Sequence, residues 1–176
     1  GPIEIDQFVL TPPKEWLARR PSSSMRKAEL VMPGSVAKEG KERDTSQDAT
    51  TVLYYFGAGG AGSVDANLAR WAGQVKTDDT KPEEERIRRS HKKVHGLAIT
   101  VIELEGTYEE PQMGPAPAKA PMPDAMMLAA VIETPSGAYY VKTVGPAKTV
   151  QKWKKVWHSM LEGIEPKAKR NPPKGS

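Results

Sequence analysis

Residues 54–75 read YYFGAGGAGSVDANLARWAGQV: an aromatic run, a glycine cluster, then a stretch with helical spacing. Gly57, Gly59 and Gly62 satisfy G-x-G-x-x-G between a strand and a helix, and Asp78 and Asp79 follow at a suitable distance. A dinucleotide fold needs that acid at the end of a second parallel strand. KTDDTKPEEER (76–86) has no strand character, and the later strands do not alternate with helices. A phosphate loop fails as well, because Gly62 is followed by Ser63 with no lysine before it. The turn is therefore read as a β–α connection, in which glycine adopts φ of either sign without steric cost.

Several runs around this turn have strand character. In MRKAELVM (25–32), Ala28, Leu30 and Met32 alternate with Lys27, Glu29 and Val31. TVLYYF (51–56) and MMLAAVIE (126–133) are apolar on both faces, the pattern of inner strands covered on each side. AYYVKTV (138–144) follows TPSG, a hairpin turn with Pro135 early and Gly137 where positive φ is needed. In IRRSHKKVHGLAITVIELEGTY (87–108) two extended halves meet at His95-Gly96, which reads as a second hairpin. TKPEEERIRR (80–89) also carries a capping-box pattern, Thr80 to Glu83, so a short helix before that hairpin is an open alternative.

Two helices are expected. Behind an N-cap at Ser63, Val64, Leu68, Trp71 and Val75 recur on one face. Near the C-terminus, Val150, Trp153, Trp157, Met160, Leu161 and Ile164 form a second stripe, with Lys152, Lys154 and Lys155 facing water. Neighbouring hairpins with two helices predict an α+β fold: a mainly antiparallel sheet flanked by helices on both faces, an α/β/α sandwich. A single domain is expected over 1–164, with a disordered basic tail over 165–176 whose charge and proline leave little apolar area to bury.

The chain has 176 residues, no cysteine and a net charge of +4. The absence of cysteine excludes thiolate metal sites, thiol nucleophiles and disulfides. Four of the cations, Lys167, Lys169, Arg170 and Lys174, lie in the tail against Glu165 alone, so the body is almost neutral. RIRRSHKKVH (86–95) is basic, but Asp78, Asp79, Glu83, Glu84 and Glu85 precede it and cancel its charge, which disfavours nucleic acid. His91 and His95 lack a third ligand, and the scattered methionines form no thioether cluster, so no metal or other cofactor is expected. PSSSM (21–25) is not a nucleophile elbow, Glu103, Glu105, Glu109 and Glu110 read as a solvated strand face, and His158 reads as a surface residue.

PPKEWLARRPSSSMRKAELVMPG, VLYYFGAGGAGSVDANLARWAGQV, VHGLAITVIELEGTY, MLAAVIETPSGAYYVKTVGPAKTV and WHSML, in that order, resemble a group of bacterial secreted or lipoprotein domains frequent in planctomycetes. That group in turn is similar to the PsbP-like fold, named for an extrinsic subunit of photosystem II. The resemblance implies an antiparallel sheet between helices. It also implies non-catalytic binding or assembly work on a protein partner in the cell envelope, with membrane attachment only through a lipid anchor outside this sequence.

Two contact regions are expected. The loop from Gly106 to Asp124 holds five prolines and two methionines, and Met113, Pro115, Pro117 and Met122 are its candidate protein contacts. The alternative function is an enzyme or small-ligand carrier with a pocket at the Gly57–Ser63 turn, where Gly59, Gly60, Gly62 and Ser63 would contact the ligand. Asp65 in the first helical turn already places negative charge there, in competition with an anion.

Overall fold

A computed structural model describes residues 1–57, 62–112 and 114–167. Its main element is an eight-stranded antiparallel sheet. The strands are β3 (Leu17–Arg19), β4 (Arg26–Met32), β5 (Ala49–Tyr55), β6 (Val75–Lys76), β7 (Ile87–Val94), β8 (Leu97–Tyr108), β9 (Met122–Thr134) and β10 (Gly137–Pro146). They run in the order β3-β4-β5-β10-β9-β8-β6, and β7 also pairs with β8. A second, three-stranded sheet joins β1 (Ile3–Glu4), β2 (Phe8–Leu10) and β11 (Glu165–Pro166).

Both expected hairpins form, with the turns their residues demand. His95 (φ 48°) and Gly96 (φ 86°) are both left-handed, the geometry of a type I′ turn that matches strand twist, and Val94 pairs with Leu97 across it. Pro135 and Ser136 join β9 to β10, where Gly137, at φ 122°, pairs with Thr134. The long β9 shows why the doubly apolar pattern arises. Met126, Leu128, Ala130 and Ile132 enter one core, and Ala125, Met127, Ala129 and Val131 enter another on the opposite face.

The expected α/β/α sandwich is not formed. The described residues are 43% strand and 18% helix, and their three helices are too little to layer both faces of so wide a sheet. Helix α1 (Val64–Ala72) has nine residues, α2 (Glu83–Arg86) is a single turn, and only α3 (Ala147–Glu162) is long. The doubly apolar strands are satisfied in other ways. On the first face α3 shares the cover with the small sheet, whose Phe8 and Leu10 join Trp16, Leu53, Val141, Trp157 and Leu161 in one core. On the second, α1 contributes Val64, Leu68, Trp71 and Ala72, and aromatic rings close on one another across the gap between helix and sheet: Tyr54 on Phe56 and Trp71, and Tyr140 on Phe56 and Trp71.

Three local readings also change. Val75 lies in β6, because α1 ends at Gly73. The short helix before the hairpin does form, but Thr80 does not cap it: its hydroxyl donates to Asp78, and Pro82 occupies the cap position. Structure continues past residue 164, since Glu165 and Pro166 pair with Val9 and Phe8, and the Lys167 N–H donates to Gln7 O.

Between Gly106 and Tyr108 the β8–β9 register shifts, and Asp124 opposite adopts φ 51°, the left-handed conformation that aspartate tolerates at a bulge. β6 crosses close to this point. A Cβ on Gly106 would sit 2.0 Å from Lys76 O. Gly106→Ala is expected to cost about 1–3 kcal/mol in urea unfolding, by displacing β6. Hydrogen exchange should show the loss first at the Val75–Tyr108 pair.

Candidate functional site

Where the glycine turn enters α1, the described groups are already engaged. Ser63 Oγ accepts from Ala66 N (3.0 Å), and Ser63 O accepts from the backbone of Asn67 (3.1 Å) and from its Nδ2 (2.9 Å). Gly62 has φ 76°, a left-handed conformation that favours glycine. Asp65 pairs with Arg89 of β7, so the acid read as a competitor for anions has its own cation. Gly59 and Gly60 lie outside the described residues.

The second face of the sheet beside this turn holds a feature the sequence reading passed over. Lys142, on β10, is 9% exposed in the run Tyr139–Val144. Its Nζ donates to Gln74 Oε1 (2.6 Å) and Tyr108 OH (3.1 Å), and lies 5.2 Å from the Tyr108 ring centre and 5.8 Å from that of Trp71. Burial disfavours the ammonium and pulls its pKa down to about 8; Glu110 opposes this, while Arg26 and Arg70 add to it. Burial, with Glu110 and Tyr54, holds the Tyr108 hydroxyl well above the usual phenol range, so it stays protonated. Such an amine has the basicity of a proton carrier or nucleophile. Enclosed by Gln74, Trp71 and Tyr108, it serves as a desolvated cation in an aromatic enclosure. The signal in the sequence is a lysine inside a strand apolar on both faces.

On the same face, Glu29 is 5% exposed. Its Oε1 accepts from Ser22 N (2.9 Å), Ser22 Oγ (2.7 Å) and Arg26 Nη1 (3.0 Å). Burial pushes its pKa up, but these donors outweigh it and hold the carboxyl below the usual range. Ser22 thus anchors the segment before β4 to the strand's buried acid.

No protein-family model matches the chain, and no curated protein does. A solved structure of a Pseudomonas aeruginosa protein of unknown function is similar to it at a TM-score of 0.48 and 11% identity, over 91% of this chain and 92% of that one. No helix among the described residues is long and apolar enough to cross a membrane.

The remaining expected sites are placed as follows. His91 Nδ1 lies 2.9 Å from Thr100 Oγ1, and His95 Nδ1 donates to Ile164 O (2.8 Å), tying the hairpin turn to the end of α3. Among the described residues no three His, Asp or Glu side chains are grouped to hold an ion. Half-buried His158 stands edge-on to Trp157, its pKa lowered chiefly by burial, so it is not the surface residue expected. Glu103 is less solvated than read, since Lys154 of α3 pairs with it.

Residues 109–121 connect β8 to β9, and every described residue from Glu109 to Asp124 is exposed. Pro115 and Pro117 lie in this loop and Met122, 38% exposed, at its foot, while Met113 lies outside the described residues. At its base Glu109 N donates to Gln74 O (2.8 Å), next to the Lys142 enclosure, and higher up Lys119 pairs with Glu110 (3.2 Å).

Proposed function

We propose that this chain is a non-catalytic binding or assembly domain that docks a protein partner through the 109–121 loop, in the cell envelope as the resemblance of its segments implies. The observation that carries the reading is the contrast between loop and base. The loop, exposed throughout its described length and rich in proline, springs from the two longest strands of the sheet at a bulge that redirects them. A connection of this length with no helix or strand among its described residues is uncommon in a compact domain, and such connections serve as binding loops or linkers. Proline stiffens the backbone before binding, which reduces the ordering entropy lost on association.

Replacing residues 111–121 by a four-residue Gly/Ser turn should leave the melting temperature within a few degrees, because the loop buries almost nothing. A photo-reactive residue at position 117 should cross-link a discrete protein in envelope extract, and one at exposed Ser46 should not. Identical cross-linked species from both positions would exclude the loop as the docking surface.

A further inference from the structure

β7 is an open edge of the large sheet. Its eight residues, Ile87–Val94, pair with 97–104 of β8 without a register shift, and among the described residues no strand pairs with its other side. The type I′ turn at His95-Gly96 decides which backbone groups that side presents. It makes Val94 and Leu97 a hydrogen-bonded pair, so Val94, Lys92, Ser90 and Arg88 turn their N–H and C=O groups to β8. Those of Arg89, His91 and Lys93 point outward, and no described residue bonds to them. The next N–H on that side, of Ile87, is taken by Glu83 O of α2. Edges are commonly blunted by shortness, proline or a bulge. β3, at the opposite end of the sheet, has three residues and is followed closely by Pro21, whereas β7 has none of these devices.

Charge sets what can pair there. β7 holds Arg88, Arg89, Lys92 and Lys93 and no acid. Arg88, Arg89 and Lys92 reach Glu103, Asp65 and Glu162 on neighbouring elements, while exposed Lys93 has no ion pair among the described residues. Asp78 and Glu85, read from the sequence as cancelling this charge, line one hollow with Arg88 at the strand's start. At about 3.4 Å per residue, Lys93 stands roughly 17 Å beyond Arg88, further than the screening length of about 8 Å at physiological salt. A second copy of β7 laid antiparallel about His91 would set Arg89 against Lys93, like charges directly opposite. A phosphate backbone would offer acceptors to the outward N–H groups but no donors to the C=O groups beside them. We propose that the β7 edge takes an extended acidic peptide as an added strand, with main-chain hydrogen bonds to Arg89, His91 and Lys93 and a carboxylate opposite Lys93. This contact is separate from the 109–121 loop, and its test does not need that loop.

The test is nitrogen-15 NMR on the full chain, titrated with acetyl-Glu-Val-Glu-Val-Glu-Val-amide. In the free protein the amides of Ser90 and Lys92 should exchange slowly and those of Arg89, His91 and Lys93 rapidly. The peptide should move the latter signals saturably downfield. Its fully N-methylated counterpart keeps the charge but loses the main-chain donors, and should bind at least tenfold more weakly. Lys93→Glu, a change on an exposed side chain, should weaken binding several-fold. His91→Pro removes an outward N–H, a change an edge strand tolerates, and should abolish the shifts at Arg89 and Lys93. If that variant does not fold, Lys93→Glu and the methylated peptide decide. Slow exchange at Arg89, His91 and Lys93 in the free protein, unmoved signals at millimolar peptide, equal binding of the methylated peptide, or indifference to Lys93→Glu would each overturn the proposal. So would tighter binding of oligothymidylate at this edge, which would assign it to nucleic acid.

Discussion

Trp157→Ala is expected to destabilise the fold by about 3–5 kcal/mol, the range for truncating a buried tryptophan, and urea unfolding measures it directly. Trp157 has no exposed surface and sits in the core between α3 and the sheet. Its Nε1 donates to Thr143 Oγ1 on β10, which lies 2.7 Å from Thr51 Oγ1 on β5. One side chain therefore fills the layer under α3 and satisfies a polar pair buried between two inner strands. Trp157→Phe keeps much of the volume and loses only the donor, so about 1–2 kcal/mol is expected. Trp153→Ala, at a half-buried site near the β4 end, should fall between them. A loss below about 1 kcal/mol for Trp157→Ala would mean that α3 is not the main cover of this face.

Those residues also show what was legible in the sequence. The stripe from Val150 to Ile164 is readable because a helix repeats its buried face every three to four residues within one segment. The hairpins are readable for a similar reason: His95-Gly96 and Pro135–Gly137 fix their turns by local backbone preference. The way the sheet is covered is not local. Apolar faces on β5 and β9 require cover without specifying what provides it, and two helical stripes suggested helical layers. Part of the cover on one face is a second sheet made from Ile3–Glu4, Phe8–Leu10 and Glu165–Pro166, pieces of two or three residues from opposite ends of the chain. Segments so short carry no periodicity to detect.

The candidate sites divide in the same way. Ser63 as a cap and the proline-rich loop were visible because capping and loop composition are local properties. The environments of Lys142 and Glu29 depend on which strands become neighbours. Lys142 meets Gln74 and Tyr108 across 68 and 34 residues of sequence, and no spacing rule links them.

Lys142 gives the second large prediction: relative to Lys142→Met, the native protein should gain about 3 kcal/mol of stability between pH 7 and 10.5. In the unfolded chain this amine holds its proton to about 10.5, and in the folded chain only to about 8. Below pH 8 both states are charged, and the folded state bears the full cost of stripping water from the ammonium. As pH rises through 8 the folded form releases the proton while the unfolded form still binds it, so stability climbs, levelling off above 10.5. At about 1.4 kcal/mol per pH unit, the interval corresponds to the stated gain. Methionine keeps an unbranched stem against Trp71 and Tyr108 but cannot titrate. It also leaves Gln74 Oε1 and Tyr108 OH without the lysine donor, a cost that does not vary across this range and so shifts the difference curve without tilting it. Tyr54, Tyr139 and Tyr140, held above the usual phenol range chiefly by burial, oppose stability above pH 10 in both proteins and cancel in the difference. A difference curve that is flat from pH 7 to 10.5 would mean that water reaches the ammonium, and that the enclosure of Trp71, Gln74 and Tyr108 opens at the base of the loop it supports.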